Sequence, residues 1–205
     1  MLINVKNIIF ALSFSSFILF YCGPIFAENN SITRLEMSYI VKKIKEKNLD
    51  TGLCDWRGLD SDIFLDENKR YVLDEVTSLY RIHCFAGADH AKYQFFALIK
   101  EDVLDNQEFL HMIYFPYPIV DGYGPEAFKG ISITNYLSNA FYDIKEQMIK
   151  GGSFYRAGDA GETVSYKLHY EGKGNTPQFH LKKFSVDSLH DNNTNPNYNF
   201  VFDDN

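Results

Sequence analysis

The chain has 205 residues, 45% of them apolar, and its 27 acidic against 20 basic side chains give a formal charge of -7. That length bounds the fold to one ordinary domain behind any leader. The acidic balance, with no basic stripe, excludes a surface built for nucleic acid or for anionic lipid headgroups.

Lys6 charges a short leader, and Ile8 to Phe20 is an apolar run broken only by Ser13, Ser15 and Ser16. The run is too short to cross a bilayer. It is followed by Gly23-Pro24, by Ala27, which is small enough for a signal peptidase, and by the polar Glu28. The pattern predicts a cleavable signal peptide over residues 1–27, a periplasmic or secreted product, and no stable membrane insertion after cleavage. An uncleaved anchor is the alternative, because no charge stops the segment before Glu28. A lipoprotein reading is weaker, because the bulky Tyr21 precedes Cys22. Losing Lys6, the one charged side chain of residues 1–27, takes the formal charge from -7 to -8.

Cys22 leaves with the leader, so the mature chain carries one pair, Cys54 and Cys84, in an oxidising compartment. A single intramolecular disulfide is expected. Closing a loop of about 30 residues stabilises by about 3 to 4 kcal/mol in the chain-entropy model, and the absence of Cys-x-x-Cys argues for a structural rather than a redox bond.

Thr33 with Glu36 three residues on is a capping box, and Leu35, Ile40, Val41 and Ile44 recur at helical spacing, predicting a helix over 34–48. Its other face carries Lys42, Lys43, Lys45 and Lys47, the pattern of a solvated surface. From Gly52 onward short apolar or alternating runs are separated by Asp, Asn and Gly, which reads as strands and tight turns. The expected strands are Tyr71 to Leu73, Ser78 to Cys84, Tyr93 to Lys100, Phe109 to Tyr114, Thr163 to Tyr170 and Gln178 to Val186. Val164, Tyr166, Leu168 and Tyr170 share one face of their strand while Ser165, Lys167 and His169 share the other, so one face of an antiparallel sheet meets water. Gly172 to Asn175 supplies the turn of a hairpin between the last two strands.

The segment 114–125 combines aromatics with Pro116, Pro118 and Pro125, and is expected as a loop, since proline forbids a central strand. Residues 131–149 are ambiguous: Ile131 and Ile133 alternate, while Phe141, Ile144 and Met148 fit a helix. Residues 28–190 are expected as a single domain, and 191–205 as a polar, loosely ordered tail in which Phe200 to Phe202 is able to dock as an edge strand. The fold class is α+β: an antiparallel β-sheet domain with an N-terminal helix and one disulfide.

The run Cys84-Phe85-Ala86-Gly87-Ala88-Asp89 ahead of Tyr93-Gln94-Phe95-Phe96, then Asn139-Ala140-Phe141-Tyr142-Asp143, Gly158-Asp159-Ala160-Gly161, Val164 to Tyr170 and Phe179-His180-Leu181 form a series. In order and spacing it resembles the C-terminal half of an exported proteobacterial family, domain of unknown function 1176. Members of that family look like Cys-x-x-Gly-Ala-Tyr-Asn and Gly-Asp-Cys-Gly at the first and third positions, with an earlier cysteine where Cys54 stands. This chain has Asp89 for the first motif's tyrosine, Ala160 for the second cysteine, Tyr155-Arg156-Ala157 for Arg-Gly-Leu, and Tyr166 for a tryptophan. The resemblance implies export and fold; it implies no activity.

Several groups of residues invite chemistry. Arg156 and Asp159 in the Gly-rich turn have the composition of an anion fork with its orienting carboxylate, although such a turn is more often structural. His83, Asp89 and His90 cluster near Cys84 without any zinc spacing, and His111, His169, His180 and His190 stand singly. Asp60, Asp62, Asp66 and Glu67 form an acidic loop that departs from calcium-loop spacing at Phe64. Asp159 with Glu162, or Asp121 with Glu126, would supply paired carboxylates. No metal and no cofactor is expected. Tyr114, Tyr117 and Tyr123 have the best composition for a contact surface, because tyrosines bury large area with few rotors and prolines reduce the cost of ordering. The leading expectation is a non-enzymatic binding protein that meets another envelope or host protein through Tyr114, Tyr117, Tyr123, Arg156 and Asp159. The alternative is a cell-wall or glycan hydrolase using Asp159 with His83 or His90.

Overall fold

The computed structural model describes residues 31–54, 56, 62–86, 91–100, 107–121, 128–156, 160–172, 175–187 and 198–202. The expected signal peptide lies outside these residues.

Helix α1 (Arg34–Glu46) begins where the capping box places it, with Thr33 Oγ1 accepting from the Glu36 amide at 3.2 Å. Its buried stripe is Met37, Ile40 and Ile44. Leu35, expected in that stripe, is 87% exposed. At about 100° per residue it lies nearly opposite Met37, so the core takes the methionine instead. The acidic segment expected as a loop forms a short helix, α2 (Asp62–Glu67).

Strands β1 (Lys69–Val72), β2 (Thr77–Ala86), β3 (Ala91–Lys100) and β4 (Glu108–Met112) pair in that order as one antiparallel sheet. Next come β5 (Phe115–Val120) and β6 (Phe128–Thr134), which pair as a separate two-stranded ribbon. Strand β7 (Leu137–Ser138) returns to β3 of the first sheet. Strands β8 (Phe141–Asp143), β9 (Met148–Arg156), β10 (Ala160–His169), β11 (Gln178–Asp187) and β12 (Tyr198–Val201) make a second antiparallel sheet in the order β12-β11-β10-β9-β8. The ambiguous segment 131–149 is therefore strand and turn, not helix. The C-terminal strand docks on the edge of β11 through Phe200 opposite Phe184.

Two cores stack on the first sheet. Tyr93, Phe95 and Ala97 of β3 join Val164, Tyr166, Leu168, Phe179 and Phe184 of the second sheet in one cluster. Phe96 and Leu98 join Met37, Ile40 and Ile44 of α1 and both cysteines in the other. The layers are thus helix, sheet and sheet, with β3 covered on both faces, which is why its buried run is continuous where β10 alternates. The Cys54–Cys84 disulfide forms on the helix side and ties the segment after α1 to β2. No helix among the described residues is long and apolar enough to cross a membrane.

The proline-rich segment is a strand, contrary to the expected loop. Pro116 and Pro118 are two residues apart, so both missing N–H groups lie on one edge, and the amides of Phe115, Tyr117 and Ile119 serve the other. A two-stranded ribbon needs only that second edge. Proline does forbid a central strand, and β5 is not one.

Candidate functional site

A fork in the chain builds the site. Strand β4 runs along β3 as far as Ile113, whose amide donates to the Phe95 carbonyl at 2.8 Å. At Tyr114 the chain leaves that edge for the ribbon, whose first pair is Phe115 with Thr134. It returns through Asn135 and Tyr136 to β7, where Leu137 pairs with Tyr93 and Ser138 with Lys92. Phe115 turns inward and is wholly buried, its ring meeting those of Phe95, Tyr166 and Phe179 at 5.1 to 5.6 Å. The alternation of an extended chain then drives its neighbour outward. Tyr114 is 57% exposed.

Two clefts flank that ring. One, of about 580 Å³, lies inside the fork between Tyr114, Tyr117, Thr134, Asn135, Tyr136 and Lys92. The other, of about 690 Å³, runs from Tyr114 and Pro116 to the hairpin end at His169, Gln178 and His180. Both fall within the volume range of small-ligand sites.

Hydrogen bonds hold the fork open in one shape. Ser132 Oγ donates to the Tyr117 carbonyl at 3.1 Å, the Tyr136 amide donates to Thr134 Oγ1 at 3.4 Å, and Asn135 Nδ2 points at Met112 Sδ at 3.5 Å. Lys92 Nζ sits 4.6 Å from the centre of the Tyr136 ring. Such a cation over an aromatic face is held by the ring quadrupole while staying open to a ligand. On the far wall the rings of His169 and His180 lie 5.2 Å apart, and His169 Nε2 is 3.6 Å from Glu171 Oε1.

The expected site residues divide. Tyr114 and Tyr117 stand together at the fork, but Tyr117 is half-buried, packing against the inter-sheet core with its ring 6.3 Å from that of Phe184. Arg156 ends β9, opposite Ala160 at the start of β10. Tyr114 borders His169 at the other end of β10, about 30 Å away along the strand. The structure therefore does not bring Tyr114 and Arg156 into one site. Tyr123, Asp159, Asp89, His90 and His190, together with the Arg156 side chain, lie outside the described residues.

His83 is buried under the second sheet, its ring 5.3 Å from that of Tyr93. Burial holds its pKa below the ordinary value against the opposing pull of Glu67. Glu67 accepts from the Tyr93 hydroxyl at 2.9 Å, and its backbone carbonyl accepts from Arg81 at 2.7 Å. Burial, and then this carboxylate, push the Tyr93 hydroxyl up to about 12. The acidic segment thus spends one of its carboxylates, that of the exposed Glu67, on a bond to β3. Among the described residues no group of three His, Cys, Asp or Glu is placed to hold a metal ion.

Reading along the chain missed Lys92, Asn135, Tyr136 and Gln178, and left His169 and His180 as single residues. They come from four separate segments, and only the register of β10 on β11 and of β7 on β3 assembles them. Comparison of the chain with protein-family models, with curated proteins and with solved structures found no match.

Proposed function

We propose that this is an exported, non-enzymatic binding protein whose ligand or partner is held at the fork around Tyr114. The observation that carries the reading is the exposure of the Tyr114 ring between two clefts, one residue from the fully buried Phe115. Tyrosine is a preferred anchor at binding sites, and a ring exposed between two clefts meets a ligand that enters either one. The two neighbouring residues have opposite environments because the extended backbone alternates, so burying Phe115 sets the direction of Tyr114.

Export is part of the proposal. The leader pattern of residues 1–27 supports it, and a disulfide suits an oxidising compartment. The expected product starts at Glu28 and stays in the periplasm or is secreted. N-terminal sequencing of the protein recovered outside the cytoplasm checks that start site directly.

The test of the binding reading uses the oxidised mature protein as bait in an envelope extract and a host-cell lysate, with Tyr114→Ala as the control. A partner retained by the wild type and lost by the variant supports the reading. Equal retention by both, or by neither, sinks the assignment to this face.

A further inference from the structure

We infer that the two clefts beside Tyr114 form one oligosaccharide site, in which a sugar ring stacks on the Tyr114 face and its neighbours occupy the cleft on either side. The inference rests on the binding reading above and adds the class of ligand.

Three observations carry it. The exposed ring is shared by both clefts, so a ligand lying across it enters both. The face of an aromatic ring carries negative quadrupole charge, which attracts the weakly positive C–H face of a pyranose. The second observation is the lining chemistry. Asn135 and Ser138 on one side, and Thr176 and Gln178 on the other, offer amides and hydroxyls that both donate and accept. Sugar hydroxyls also do both, so each such group is satisfied whichever way the ligand hydroxyl turns. The third is charge: in a protein of net charge -7, the described lining residues of the two clefts include Lys92, His169 and His180 and no carboxylate. Neutral sugars and uronic acids are both admitted on that count.

An extended peptide is the competing occupant, and it has different needs. It would draw on a run of open backbone groups and on apolar side pockets. The fork cleft offers mainly side-chain hydroxyls, an amide and tyrosine rings; the hairpin-end cleft sets Thr176 and Gln178 among apolar side chains, and the peptide arm of the test addresses it.

The full mature protein is titrated with a neutral glucan tetramer, an N-acetylhexosamine tetramer and a uronic-acid tetramer, following the Tyr114 and Tyr136 ring resonances. A set of short extended peptides forms a separate arm. At least one tetramer is expected to bind saturably, with Tyr114→Ala weakening it about tenfold or more and Tyr114→Phe retaining it, since the ring face is what stacks. Circular dichroism and thermal melting confirm that both variants fold. The sugar assignment is overturned if no tetramer binds the wild type, or if Tyr114→Ala binds equally well. A peptide bound in a Tyr114-dependent way, with no sugar bound, overturns the ligand class while leaving the binding reading intact. No Tyr114-dependent ligand in either arm, together with no captured partner, removes both.

Discussion

The Tyr170 hydroxyl donates to Asp74 Oδ2 at 2.5 Å, joining residues 96 apart in the chain. Asp74 closes the β1–β2 turn, its Oδ1 accepting from the Val76 and Thr77 amides at 2.8 and 2.7 Å, and Tyr170 follows β10. One hydroxyl therefore ties the rim of the first sheet to the end of the second, with Thr77 Oγ1 at 2.6 Å from the same oxygen. Replacing Tyr170 by Phe keeps the ring and removes only this tie. The expected loss is about 1 to 2 kcal/mol of unfolding free energy, because an ionised acceptor strengthens the bond and partial exposure weakens it. Urea denaturation of the two proteins measures it.

The same carboxylate makes stability depend on acid. Burial pushes the Asp74 pKa up, but the Tyr170 hydroxyl and the Val76 and Thr77 amides outweigh it and hold it below the ordinary value of 3.8. The folded state thus binds this proton less readily than the unfolded chain. The resulting stabilisation is complete above about 3.8 and is lost as pH falls through the lower folded value. Glu108, raised by burial, acts with the opposite sign and gains stability as pH falls. The readout is therefore the difference between wild type and Asp74→Asn: the gap present at neutral pH should narrow in strong acid. A gap independent of pH would disprove the role of the charge.

Phe115 and Tyr114 are adjacent, and their truncations should diverge. Phe115→Ala empties the meeting point of three aromatic rings and is expected to cost about 3 to 5 kcal/mol. Tyr114→Ala removes an exposed ring and should stay within about 0.5 kcal/mol of wild type. Thermal melts of the pair settle whether the fork's anchor and its exposed ring are separable, which the binding tests require.

Gly151 of β9 lies close against Ser138 of β7 and Ala140. A Cβ there would lie 2.8 Å from the Ser138 carbonyl oxygen and 3.2 Å from Ala140 Cβ. The obstacle at Ser138 is backbone, which cannot swing away like a side chain, so Gly151→Ala should destabilise by about 1 to 3 kcal/mol. Gly172→Ala is the comparison, since a Cβ meets nothing within 4 Å there and only the positive φ of 98° is strained. Loss of stability at Gly151 should be accompanied by a shift in the Ser138 and Lys92 resonances; at Gly172 it should not.

Features that depend on neighbours in the chain were legible in the residues themselves. The capping box started α1 at Thr33, the alternation of Val164, Tyr166 and Leu168 identified the buried face of β10, and the expected Cys54–Cys84 pair is the disulfide that forms. Even so, Leu35, expected in the buried stripe, is exposed and Met37 is buried, because which stripe of a helix is buried depends on the surface it meets. The fork was not legible. Pro116 and Pro118 speak against a strand until the structure supplies a ribbon needing hydrogen bonds on one edge alone, and residues 131–149 hold apolar spacings that fit either period. The candidate site lay further out of reach still. Lys92, Tyr114, Tyr136 and Gln178 are brought to one place by strand register over long separations, and register is set by how whole faces bury against each other, information that no local window of residues contains.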